Sequence, residues 1–121
     1  TDEKEPVKVQ AFTKKMSNGN RLITIRMKIH PGYRIYTQVD KSDPYLPTTI
    51  TFVLPKGVEK VGELKRPLGR AYNGTRTVVV EEEAIFTQEV LGTGNVTCVI
   101  EYQSCNDQMC MPPAELSLIV Q

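Results

Sequence analysis

Arg21-Leu22-Ile23-Thr24-Ile25-Arg26-Met27-Lys28-Ile29-His30 sets the frame for the whole chain. Ile23, Ile25, Met27 and Ile29 fall on one side, while Thr24, Arg26, Lys28 and His30 fall on the other. A period of two is that of a half-buried strand and not of a helix. Ser17-Asn18-Gly19-Asn20, just before it, is a hairpin turn signal that joins it to a strand-like segment, Val7–Met16. Pro31-Gly32 ends it. The same alternation recurs in Thr48–Leu54, where Ile50, Phe52 and Leu54 share a side, and in Asn95–Gln103, where Val96, Cys98, Ile100 and Tyr102 point inward. Thr75–Val80 is β-branched, Ala84–Val90 continues after a solvated bend at Glu81–Glu83, and Leu116, Leu118 and Val120 close the chain. Short strands at regular spacing, separated by Gly and Pro turns, predict an all-β fold, an immunoglobulin-like antiparallel β-sandwich over residues 1–121 as one domain. Thr37–Pro47 and Gly62–Gly74 carry no strand pattern, and the latter reads as a long loop suited to a lid.

The chain has 121 residues, with 15 Lys+Arg against 14 Asp+Glu, a formal net charge of +1. So even a balance gives no field to hold a polyanion, so nucleic acid is not an expected partner. Hydrophobic residues are 40% and charged residues 24%, an ordinary globular mixture. No apolar run approaches the roughly 20 residues of a membrane span. The chain begins at Thr1, not Met, and is expected to be a processed or excised piece.

Three cysteines remain to be placed. Cys98 and Cys105 on one extended strand would lie about 23 Å apart at roughly 3.3 Å per residue, whereas a disulfide needs Cα atoms within about 7 Å. If Ala114–Val120 folds back beside Asn95–Gln103, Cys98 faces the far end of that strand and Cys110 stays at the loop. Cys105 with Cys110 is therefore the expected pair, at a hairpin end, and Cys98 a buried thiol. Closing so short a loop contributes only about 2 kcal/mol in the chain-entropy model, and an exposed bridge is open to attack by a thiolate. On chemistry alone a redox-active pair and a structural staple both stand.

Tyr102-Gln103-Ser104-Cys105 followed by Cys110-Met111-Pro112-Pro113 resembles the active-site hairpin of the N-terminal domain of the DsbD-type thiol:disulfide interchange family. Pro31-Gly32-Tyr33-Arg34-Ile35-Tyr36 is similar to that family's Gly-Tyr-x-x-Tyr segment. The resemblance implies an immunoglobulin-like periplasmic domain without a cofactor, a monomer, attached to a membrane electron-transfer domain in the full-length protein. Thioredoxin-like domains would be both its reductant and its acceptors. Cys105 and Cys110 would be the catalytic pair, with Cys110 forming the mixed disulfide and Cys105 resolving it. Tyr33 and Tyr36 would lie against the pair, and Gly62–Gly74 would supply the shielding lid, with Glu63, Leu64, Leu68 and Tyr72 as the side chains on offer. The loop between the cysteines is one residue shorter than in the best-known members.

Asp107, inside the cysteine loop, would disfavour a nearby thiolate or shape the turn. Two readings from other classes compete with the redox relay. One is a non-catalytic β-sandwich interaction module whose hairpin bridge is structural. The other is a Cu(I) site drawing on Cys105, Met109, Cys110, Met111 and His30, since thiolates and thioethers suit that ion. Two cysteines and one distant histidine make no recognisable zinc set, so no metal is expected.

Overall fold

The sequence folds entirely into strands and turns, and the computed structural model describes all of it, Thr1–Gln121. Eleven strands follow in order: β1 (Val7–Lys15), β2 (Arg21–Ile29), β3 (Arg34–Gln38), β4 (Thr49–Val53), β5 (Glu59–Lys65), β6 (Arg70–Ala71), β7 (Val78–Val80), β8 (Glu83–Leu91), β9 (Val96–Tyr102), β10 (Ser104–Cys105) and β11 (Ala114–Val120). All pair antiparallel, in three sheets ordered β1-β2-β8-β5, β10-β3-β7-β6 and β11-β9-β4. This is an immunoglobulin-like antiparallel β-sandwich.

The alternation read in β2 is what builds it. Ile23, Ile25, Met27 and Ile29 are buried, and the opposite side is wetter. Across the ladder, Ile25 meets Phe86 of β8 and Met27 meets Ala84. From the facing sheet, Phe52, Val96, Cys98, Ile100 and Val120 complete one 17-residue core, to which Ile35 and Val80 of the third sheet also belong. Cys98 stands between Phe52 and Leu118 in adjacent strands, as the fold-back of β11 requires. Gln88, 2% exposed, is the one polar inward residue of β8. Its amide donates to the Val61 and Gly62 carbonyls at 3.3 and 3.2 Å, where the β5–β8 register shifts, so the bulge does not leave orphaned acceptors.

The Gly62–Gly74 loop needs correction. Its first part belongs to β5, and Arg70–Ala71 pair with β7, leaving 66–69 as the connection. The segment β5 escaped notice because only Leu64 in it is even half-buried, so there was no alternation to read. The β-branched segment starts later than expected, at Val78. Thr75 and Thr77 are instead held in a turn by Asp43, and the Arg76 amide by Asp40 at 3.1 Å. Gly69 fits here because a Cβ on it would collide with the Val79 carbonyl of the neighbouring strand.

Candidate active site

β3 has no solvent face over its first residues: Arg34, Ile35 and Tyr36 are all buried, as is Tyr33 just before them. Period-two geometry explains how. Tyr33 and Ile35 point into the main core, while Tyr36 points into a second, small cluster with Val79 and Cys105, flanked by Val39, Tyr45 and Tyr72. Arg34 shares the parity of Tyr36.

The cysteine hairpin docks on that second face. After β9 the chain crosses over, and β10 pairs with β3, Ser104 opposite Ile35 and Cys105 opposite Arg34. Gln103 anchors the crossing: its carbonyl oxygen accepts from the Leu46 amide at 3.0 Å, and its amide donates to the Met111 carbonyl at 3.3 Å. Asn106 shapes the loop by accepting from the Gln108 and Met109 amides at 2.8 and 2.7 Å. The chain then returns, Cys110 bridging Cys105 and the Met111 amide donating to the Ser104 carbonyl at 2.8 Å. Cys105 and Cys110 are joined by a disulfide.

The two sulfurs live in different surroundings. Cys105 is 1% exposed, whereas Cys110, where the loop returns beside Met109, is exposed, and Met109 itself is 53% exposed. Both line a cleft of about 270 Å³ with Arg34, Tyr45, Tyr72 and Asn106–Met109. A larger groove of about 650 Å³ runs between Thr1–Val9 and the back of the same hairpin, and neither cysteine lines it.

Arg34, Tyr45 and Tyr72 line the cleft, and Tyr36 lies buried beneath them. The Tyr36 and Tyr45 rings stack at 4.4 Å, and Tyr72 meets both edge-on at 6.3 and 6.0 Å. Arg34 donates from Nε to the Tyr36 hydroxyl at 3.3 Å and from Nη1 to Asp107 Oδ1 at 2.9 Å. Its Nη2 donates to the Tyr72 hydroxyl at 2.9 Å and to the Asn106 carbonyl at 3.2 Å. Burial works to lower the Arg34 pKa, but the bonds to Tyr36 and Asp107 outweigh it and hold the guanidinium more firmly protonated than usual. Burial raises the hydroxyls of Tyr36 and Tyr45.

Of the residues singled out in the sequence, Cys105, Cys110, Tyr36, Tyr72 and Asp107 come together here. Tyr33 does not. It lies in the main core with its ring 6.0 Å from His30. Glu63 is an exposed residue of β5, in a different sheet, and Leu68 stands 98% exposed outside the cleft. Leu64 packs on the main core. Arg34 and Tyr45 were missed. Tyr45 falls in a patternless stretch, and a charged residue between buried neighbours is visible as a site only once both faces of β3 are known to be covered. The soft donors do not converge: Met111 packs against the core, and His30 contacts Thr1.

Cys98 is free and 0% exposed, and burial pushes its thiol up to about 11 from 9.0. Between those values the unfolded chain loses a proton that the folded one keeps, so this contribution to stability is full below about pH 9 and lost as pH rises through 11. Urea unfolding of the wild type should therefore weaken by on the order of 2 kcal/mol between those limits relative to Cys98→Ala. Parallel slopes for the two proteins would contradict it. Tyr36, Tyr45 and Tyr102 add the same sign to both proteins and cancel in the comparison.

The family described as thiol:disulfide interchange protein DsbD, N-terminal, matches residues 3–120. Among solved structures, the DsbD N-terminal domain of Neisseria meningitidis in the reduced form gives a TM-score of 0.66 at 15% identity, covering 98% of this chain and 87% of that one. The N-terminal periplasmic domain of ScsB from Proteus mirabilis gives 0.67 at 18% identity, covering 98% of this chain and 48% of that one, so this chain spans about half its length. The complex between the DsbD N-terminal and PilB N-terminal domains of Neisseria meningitidis gives 0.62 at 12% identity, covering 98% and 85%. No curated protein sequence matches. At these identities the structures speak for the fold, and the family match speaks for descent over nearly every residue from the first strand to the last. The chain belongs to the DsbD N-terminal domain family.

Proposed function

We propose that this domain is a periplasmic thiol:disulfide interchange module, relaying electrons through Cys105 and Cys110 from a thioredoxin-like or transmembrane reductase module to periplasmic disulfide partners. The observation that carries the proposal is the unequal setting of a bonded pair, Cys105 1% exposed and Cys110 at the surface. Exchange needs one sulfur that a partner can reach and one that waits behind it. In the reduced domain the Cys110 thiolate attacks a partner disulfide, and the departing partner sulfur takes the electron pair. The Cys105 thiolate then attacks Cys110, forming the internal bond and expelling the partner's second thiolate. The partner gains two electrons and the domain is left oxidised. Membership of the family and the relative in complex with a PilB domain favour a protein partner over a small thiol. The domain works as a monomer, joined in the full-length protein to a membrane electron-transfer domain.

Equilibration with glutathione buffers of graded ratio, read by mass after alkylation, tests this. A relay is half-reduced within the range those buffers span. A potential below about −300 mV is that of a structural bond in a secreted protein and would leave the interaction-module reading.

A further inference from the structure

Arg34 is a buried cation, 7% exposed, directly opposite Cys105 in the β3–β10 ladder. Partners so paired share a side of the sheet, with Cβ atoms about 5 Å apart. Its only ion-pair partner is Asp107, whose side chain is 94% exposed against 8% for that of Arg34. The compensating negative charge is thus largely screened by water, and the positive one is not. The other titratable groups around it are the hydroxyls of Tyr36 on its own strand, Tyr45 before β4 and Tyr72 after β6. Asp43, the next carboxylate, is occupied by Thr75 and Thr77. Cys98 offers an internal contrast: it is as buried as Cys105, at 0% against 1%, but it stands among apolar side chains with no cation opposite.

We propose that Arg34 is a positioning residue for the exchange reaction, fastening the cysteine loop and Tyr72 to β3 and stabilising the thiolate left on Cys105 when the disulfide opens. This rests on the interchange reading of the pair. Once Cys110 has joined a partner sulfur, the next attack must come from Cys105, in a place where desolvation disfavours a bare thiolate. The guanidinium supplies the opposite charge there. Two of its four hydrogen bonds hold Asn106 and Asp107 in place and the other two go to Tyr36 and Tyr72, so the nucleophile and the sulfur it attacks keep their relative position.

The Cys110→Ser protein keeps Cys105 and Cys98 as separate thiols, and their Cβ chemical shifts in an NMR pH titration report each ionisation without any partner. Cys105 is expected to titrate at least about one unit below Cys98, a tenfold difference in proton affinity. Adding Arg34→Gln should close that gap, and Arg34→Lys, which keeps the charge, should restore most of it. Coincident titration of the two thiols with Arg34 in place, or a gap that survives Arg34→Gln, overturns the proposal. If Arg34→Gln does not fold, the comparison with Arg34 in place still decides. Failure of the interchange reading shows elsewhere, as a pair potential below about −300 mV in the unaltered domain.

Discussion

Cys105→Ser should capture a single-cysteine thioredoxin-like partner, activated as its thionitrobenzoate adduct, in a long-lived mixed disulfide through Cys110. Cys110→Ser should capture on the order of tenfold less under the same conditions, because access decides which sulfur is met first. Cys105 is 1% exposed, beneath the loop it helps to close, whereas Cys110 is exposed at the surface. Beyond Cys110 the chain runs Met111-Pro112-Pro113, where neither proline can donate a backbone N–H and each fixes its own φ. That stiff exit leaves the sulfur presented on an extended edge. With Cys105 gone, nothing inside the domain can expel the partner, so the adduct persists on a non-reducing gel. Equal capture by both variants, or capture only through Cys105, would reverse the roles. Capture by neither would mean that the bridge is a staple.

The largest effect on stability is expected far from the sulfurs, at Phe86. Its ring is fully buried in β8, opposite Ile25 and in the core that all three sheets share. Phe86→Ala removes the transfer free energy of the ring and leaves a cavity in a strand held by β2 on one edge and β5 on the other, so β8 cannot move to fill it. A loss of about 3–5 kcal/mol follows, a large part of the total stability of a domain this size. Urea unfolding monitored by circular dichroism measures it, and a loss under about 1 kcal/mol would mean that the core is not organised around β2 and β8 as described. The Cys105–Cys110 bond should still form in whatever fraction is folded, since it closes a local loop.

Much of the sandwich was legible because alternation marks a strand with one dry face. β1, β2, β4, β8, β9 and β11 were located to within a residue or two of their ends. What alternation cannot mark is a strand wet on both faces, such as β5, or one dry on both, such as β3. The same limit governed the site. Cys105, Cys110 and Tyr36 were readable from the hairpin and from the Gly-Tyr segment, and Tyr72 lay in the stretch expected to cover them. Arg34 lies inside the Gly-Tyr segment with no sequence signal of its own, although its guanidinium ties the loop to the sheet. Tyr45 comes to the cleft only by tertiary folding, through its stack on Tyr36.

The two dry faces of β3 also bear on fidelity. A slip of one residue in its pairing would carry Arg34 into the main core and Ile35 to the sulfurs, exchanging a buried charge for an apolar contact in both places at once. Few strands penalise a misalignment twice. The irregularity between Tyr36 and Gln38 in the β3–β7 ladder acts against such a slip, since a bulge fits only one alignment of the two strands. Correct assembly of the hydrophobic interior and correct presentation of the cysteines are therefore a single event, and a molecule that has achieved the first cannot display the second out of frame.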